Sequence, residues 1–220
     1  MKSFSFFNKE KILLFVILIL GAILRLYGLN WDEGHYLHPD ERKYVNSSNI
    51  YIPKEFSLLL SKDSPLNSKE FSYGSFPLFI YKIIHAAILP NPSFLFVSRL
   101  VSSVFSVLTI PLIFFVSKEL FNKKIGIIAA LIFAFSTGSI QHAHFNTTES
   151  MLIFFITLIT FLSIKAVKNK NYLLFVPLGL LIGMSYATKI VGLTFLIVPM
   201  ISFVFLFFKE KKLKKLIFFI

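Results

Sequence analysis

The 220-residue sequence predicts an all-α, polytopic membrane helical bundle, and three observations carry that reading. Hydrophobic residues make up 55% of the chain and charged residues only 15%, too little polar material to coat a soluble domain of this length. Apolar runs of about 20 residues recur, the length a helix needs to cross the hydrocarbon core. Lysines gather at alternate connections between those runs, the pattern of cytoplasmic loops.

Each element follows from those rules. Ile12–Leu29 is a first span. It is too long for a signal-peptide core and lacks a small-residue cleavage site, so it reads as a retained signal anchor. Residues 30–93 form a polar first outer loop with interfacial helices. Phe94–Val116, Ile125–Ile140 and Met151–Ala166 follow as spans, and Tyr172–Phe208 is long enough for two, turning near Lys189. Phe76–Leu89 has about 14 residues and carries Lys82 and His85, so it reads as a helix lying at the outer interface. With that segment excluded, four basic clusters fall on one side: Lys2, Lys9 and Lys11; Lys118, Lys123 and Lys124; Lys165, Lys168 and Lys170; and Lys209 to Lys215. The expectation is about six spans beginning in the cytoplasm, with Leu213–Ile220 opening a seventh, in the plasma membrane.

The net charge of +12 is thereby explained by topology rather than by a nucleic-acid partner. The absence of cysteine excludes disulfides and thiolate metal sites.

The acids are distributed unevenly. Seven of the eleven fall in the first outer loop: Asp32, Glu33, Asp40, Glu41, Glu55, Asp63 and Glu70. Glu149 lies in the second outer loop, and three cations approach the same face: Arg25, Arg99 and Lys189. Any one such cation can be explained by snorkelling to lipid phosphates. Three beside carboxylates point instead to a phosphate-bearing lipid next to a proton-accepting base. Two acidic pairs, Asp32-Glu33 and Asp40-Glu41, each read Asp-Glu-x-x-Tyr. Such a carboxylate can act as a general base at the membrane surface, or simply belong to a solvated loop or a helix cap.

The lead-in Leu24-Arg25-Leu26-Tyr27-Gly28-Leu29 and the motif His38-Pro39-Asp40-Glu41 resemble the first-loop signature of polyprenyl-phosphate-dependent glycosyltransferases of the C superfamily. The branch they resemble is glycosyltransferase family 39, which includes protein O-mannosyltransferases. Four further elements follow in order: Tyr73-Gly74-Ser75-Phe76-Pro77-Leu78, Arg99-Leu100-Val101-Ser102, the second-loop run Gln141 to Glu149, and Ala187-Thr188-Lys189. The resemblance spans nearly the whole chain, which corresponds to the amino-terminal part of a membrane-embedded catalytic module.

This resemblance implies inverting transfer of a sugar, of hexosyl or mannosyl type, from a polyprenyl-phosphate carrier to a hydroxyl on a protein, lipid or glycan at the outer face. Asp40 is the implied base, with Asp32 as runner-up. Lys189, Arg99 and Arg25 are the implied lipid-phosphate ligands, Lys189 foremost. Glu41, His144, Glu149 and Tyr73 would orient sugar or acceptor, and the first three carry atoms that could hold a divalent metal; no cofactor is otherwise implied. Because family members usually continue with further spans, the short chain alone is expected to be weakly active or inactive. The competing readings are a transporter subunit and a non-catalytic lipid-phosphate-binding scaffold.

Overall fold

The computed structural model describes residues 9–47, 50–51, 55–58, 61–67 and 73–209. The segment Leu213–Ile220, expected to open a seventh span, lies outside the described residues, as does Glu70. Among the described residues the structure is helical throughout: α1 (Lys9–Leu26), α2 (Pro39–Asn46), α3 (Phe76–Ala87), α4 (Phe94–Leu120), α5 (Lys123–Ala134), α6 (Thr137–Ala143), α7 (Glu149–Asn169), α8 (Phe175–Thr188) and α9 (Ile197–Lys209).

Helix α4 is the central post. Ser93 caps it by accepting from the Phe96 amide at 3.2 Å, and its buried face carries Ser98, Ser102, Ser103, Ser106 and Thr109. Small hydroxyl residues let neighbouring backbones approach closely where lipid supplies no hydrophobic drive between helices. Helix α1 buries Ile17, Gly21 and Arg25, a stripe at four-residue spacing, against α4 and α5. A Cβ on Gly21 would sit 2.5 Å from the Ile110 side chain, so glycine sets the distance between these helices.

Among the described residues, three helices are long and apolar enough to cross a membrane: Phe94–Leu120, Glu149–Asn169 and Ile190–Lys209. The pair α5 and α6 reaches that length and hydropathy only when taken together, and it bends by 57° at Phe135–Ser136. The expected straight span over Ile125–Ile140 is therefore broken, at the Ser136-Thr137-Gly138 run. The other two expected spans are less apolar or shorter. Helix α1 has 18 residues and includes Lys9, Glu10, Lys11 and Arg25, and the segment Tyr172–Thr188 is one of the shorter apolar helices. The long run beyond Tyr172 divides where expected, at Lys189. There the chain reverses through a 3-10 segment, Ile190–Leu196, in which Gly192 donates to the Lys189 carbonyl at 2.7 Å. A Cβ on Gly192 would lie 2.2 Å from the Ser185 carbonyl oxygen, so only glycine fits this turn. Helix α3 has 12 residues, about 18 Å, too short to span. It lays Pro77, Leu78 and Tyr81 against the core and packs on α4 and α8.

The alternation of helices produces two chemically distinct ends. At one, Glu10 pairs with Lys123, and Glu119 pairs with Lys165 and Lys168. At the other gather the loop after α1, the helix α2, and the starts of α4 and α7 with the end of α8.

Candidate functional site at the acidic end of the bundle

Two arginines organise this end, each for a different reason. The Arg25 guanidinium, fully buried, meets backbone carbonyls at the end of α5, beside the α5–α6 break. Its Nη1 donates to Ala134 O at 2.8 Å and Gly21 O at 3.1 Å, its Nη2 to Phe133 O at 2.9 Å, and its Nε to Ser106 Oγ at 2.8 Å. A cation at the carboxyl end of a helix also complements the helix dipole.

Arg99, on the first turns of α4, is fully buried and spends all five of its N–H donors. Nη1 and Nη2 clasp Asp32 at 2.8 Å each, Nε and Nη2 clasp Glu41 at 2.7 Å each, and Nη1 also donates to Leu29 O at 2.9 Å. The Trp31 ring lies 5.1 Å from the guanidinium carbon. Two bidentate carboxylates are the geometry that makes a buried guanidinium tolerable. Arg99 holds the Asp32 carboxyl well below the usual carboxylate range, aided by the Gly34 and Leu37 amides. Glu41 completes its shell by accepting from the Asn146 amide at 2.8 Å, which ties α2 to the second loop.

These contacts place several of the expected residues. Of the two arginines expected beside a lipid phosphate, Arg99 has all five donors filled by protein acceptors, and Arg25 spends four of its five on Ser106 and backbone carbonyls. Asp32, the runner-up base, is sealed against Arg99. Glu41 is a structural ligand of that arginine rather than a free carboxylate. His144 faces carbonyl oxygens with both ring nitrogens, Ile140 O and Tyr27 O at 2.8 Å each, which leaves neither for a metal. Among the described residues no three His, Asp or Glu side chains converge as a metal site, so Glu41, His144 and Glu149 do not form one.

Asp40, Tyr73, Lys189 and Glu149 are brought together. His38 caps α2 through Nδ1, accepting the Asp40 amide at 3.3 Å, and Pro39 starts the helix. With Glu41 locked to Arg99, Asp40 turns to a partly open face, where it accepts a hydrogen bond from the Tyr73 hydroxyl. Burial and that carboxylate push the Tyr73 phenol up to about 12. Lys189 bonds Glu149 at 3.0 Å and lies 5.2 Å from the Tyr73 ring centroid, with the lysine and glutamate side chains 30% and 28% exposed. Tyr73 is held in turn because the Gly74 amide donates to Thr188 O at 3.0 Å. A Cβ on Gly74 would lie 1.7 Å from the Ala187 carbonyl oxygen, so the Tyr-Gly and Ala-Thr-Lys elements interlock through a glycine.

Sequence reasoning missed Lys43 here, and it read Tyr44 only as the tyrosine of the second Asp-Glu-x-x-Tyr pair. Lys43 Nζ lies 5.4 Å from the Tyr73 ring centroid, and the Tyr44 and Tyr73 rings are 5.6 Å apart. Burial, with neighbouring phenols and carboxylates, drives the Tyr44 phenol far above its ordinary value. Helical spacing from Asp40, three and four residues on, was the available signal.

A polytopic helical bundle with these elements at one end has the fold of a membrane-embedded glycosyltransferase of the C superfamily. The chain belongs to the dolichyl-phosphate-mannose-protein mannosyltransferase family, whose profile matches residues 77–220. The matched stretch holds Arg99, Glu149 and Lys189 and begins after the His38-Pro39-Asp40-Glu41 motif. Among solved structures, the S. cerevisiae protein O-mannosyltransferase Pmt1-Pmt2 complex bound to the sugar donor has a similar fold, with a TM-score of 0.64 at 17% identity. The match covers 91% of this chain and 29% of the yeast chain, so this chain spans less than a third of that protein's length. None of the curated proteins matches the sequence.

Proposed function

We propose that this chain carries the catalytic end of a transferase that moves a mannosyl-type sugar from a polyprenyl-phosphate carrier to an acceptor hydroxyl. The transfer takes place at the outer face of the plasma membrane, with the amino terminus cytoplasmic and residues 30–93 forming the first outer loop. The chain as a whole is read as one catalytic module, and the acceptor is a protein, lipid or glycan.

The observation that carries this reading is the juxtaposition around Tyr73. One aromatic residue touches a partly open carboxylate, Asp40, and a partly open ammonium, Lys189. In an inverting displacement the acceptor oxygen attacks the anomeric carbon while the bond from that carbon to the phosphate oxygen breaks. Asp40 takes the acceptor proton, and the departing electron pair goes to the phosphate oxygen. Lys189 supplies positive charge where that negative charge develops. The Tyr73 hydroxyl steadies the Asp40 carboxylate. Arg99 acts at a distance: by holding Glu41 it fixes the helix that presents Asp40.

The test is Asp40→Asn in the membrane-embedded protein, supplied with polyprenyl-phosphate mannose and assayed for transfer. The expected result is a loss of at least about 100-fold in rate with unchanged thermal stability. Undiminished transfer would remove Asp40 as the base.

A further inference from the structure

We infer that Lys43 is a second cation for the leaving lipid phosphate, acting with Lys189 beside the Tyr73 ring. The inference rests on the transfer reaction proposed above and adds to it a residue that the expected motifs do not contain.

Lys43 and Lys189 come from distant parts of the chain, one from α2 and one from the break after α8. Both ammoniums nevertheless lie over the same aromatic ring, at 5.4 and 5.2 Å from its centroid. Two like charges on one small surface repel, and the Tyr73 ring quadrupole offsets only part of that. Lys189 is neutralised by Glu149 at 3.0 Å. Lys43 has no carboxylate within ion-pair distance among the described residues; its recorded contact is the ring. An unpaired ammonium held beside a paired one suits an anion that arrives between them.

The chemistry calls for such a second charge. In a sugar phosphodiester the phosphate carries one negative charge. When the bond from the anomeric carbon to oxygen breaks, the lipid leaves as a monoester, which carries about −1.5 to −2 at neutral pH. The extra charge develops on the departing oxygen. Lys189 is already shared with Glu149, so a second ammonium balances what the reaction adds. Lys43 sits one turn after Asp40 on the same face of α2, so the helix that presents the base also presents this cation.

The experiment measures binding of two probes to the full chain in detergent: a polyprenyl monophosphate and its methyl ester, a phosphodiester of the same chain length. Lys43→Gln should weaken the monoester about tenfold and the diester about twofold or less, with Tm unchanged, while Lys43→Arg should bind both as wild type does. Equal affinity of Lys43→Gln and wild type for the monoester would overturn the inference and leave the base assignment standing. Equal weakening of both probes, or of the unphosphorylated polyprenol, would also overturn it, because the lysine would then serve the lipid rather than the developing charge. A wild-type chain that binds neither phosphate would sink both the transfer reading and this inference.

Discussion

The two ends of the bundle use ion pairs in opposite ways. At the basic end, Lys123–Glu10, Lys165–Glu119 and Lys168–Glu119 involve side chains that are 19% to 50% exposed. Water competes with such pairs, and each contributes a few tenths of a kcal/mol to about 1 kcal/mol. At the acidic end, Arg99, Asp32 and Glu41 are at most 1% exposed. There the pairing is obligatory, since removing any partner strands a charge in low dielectric. The basic end can vary its contacts, whereas the acidic end has one arrangement. Asp40 and Lys189 lie beside that fixed arrangement and stay partly exposed. A rigid, fully satisfied cluster next to a partly exposed one is how a membrane protein holds reactive groups in place without locking them away.

The contrast is broken most directly at Arg99. Arg99→Met leaves Asp32 and Glu41 buried and facing each other with no cation between them. The expected cost is about 3–5 kcal/mol, read as a large fall in Tm or in the yield of folded protein. Arg99→Met folding with wild-type Tm would mean the cluster is wetter than its burial indicates. Arg25→Met comes next, at about 2–3 kcal/mol. It leaves neutral carbonyls of the α5 end uncapped rather than charges unpaired, so its Tm should fall less than that of Arg99→Met. A reversed order would mean that the kink at Phe135–Ser136 matters more than the charge cluster.

Much of this arrangement was legible in the sequence. Local patterns marked the division at Lys189 and the non-spanning helix over Phe76–Leu89, because each depends on residues close in the chain. The partition of the carboxylates was not legible. Asp32-Glu33 and Asp40-Glu41 have the same pattern, yet Arg99 takes Asp32 from the first pair and Glu41 from the second, across separations of 67 and 58 residues. No local rule distinguishes those four acids; only the packing of α1, α2 and α4 does. The same holds for Arg25, whose acceptors at the end of α5 lie 108 and 109 residues away. Read from the sequence, Ile125–Ile140 is one span, and nothing in the Ser136-Thr137-Gly138 run shows that the helix breaks there or that an arginine from another helix fills the gap.

The smallest effect is expected at Glu119, and it tests the comparison from its weak side. Glu119 accepts from Lys165 at 2.6 Å and from Lys168 at 3.0 Å, linking the end of α4 to the end of α7. Counted as two ion pairs, this looks as substantial as the Arg99 cluster. Its lysines are 32% and 47% exposed, however, and both can turn to water or lipid phosphate when the carboxylate is gone. Glu119→Gln keeps the volume and an acceptor oxygen, so it should cost less than about 1 kcal/mol and lower Tm only slightly. Raising the salt concentration should weaken the wild-type pairs and shrink that small difference further, while leaving the Arg99→Met defect unchanged. A loss at Glu119→Gln comparable to that at Arg99→Met, insensitive to salt, would show that the two ends are equally sealed and that exposure does not separate their roles.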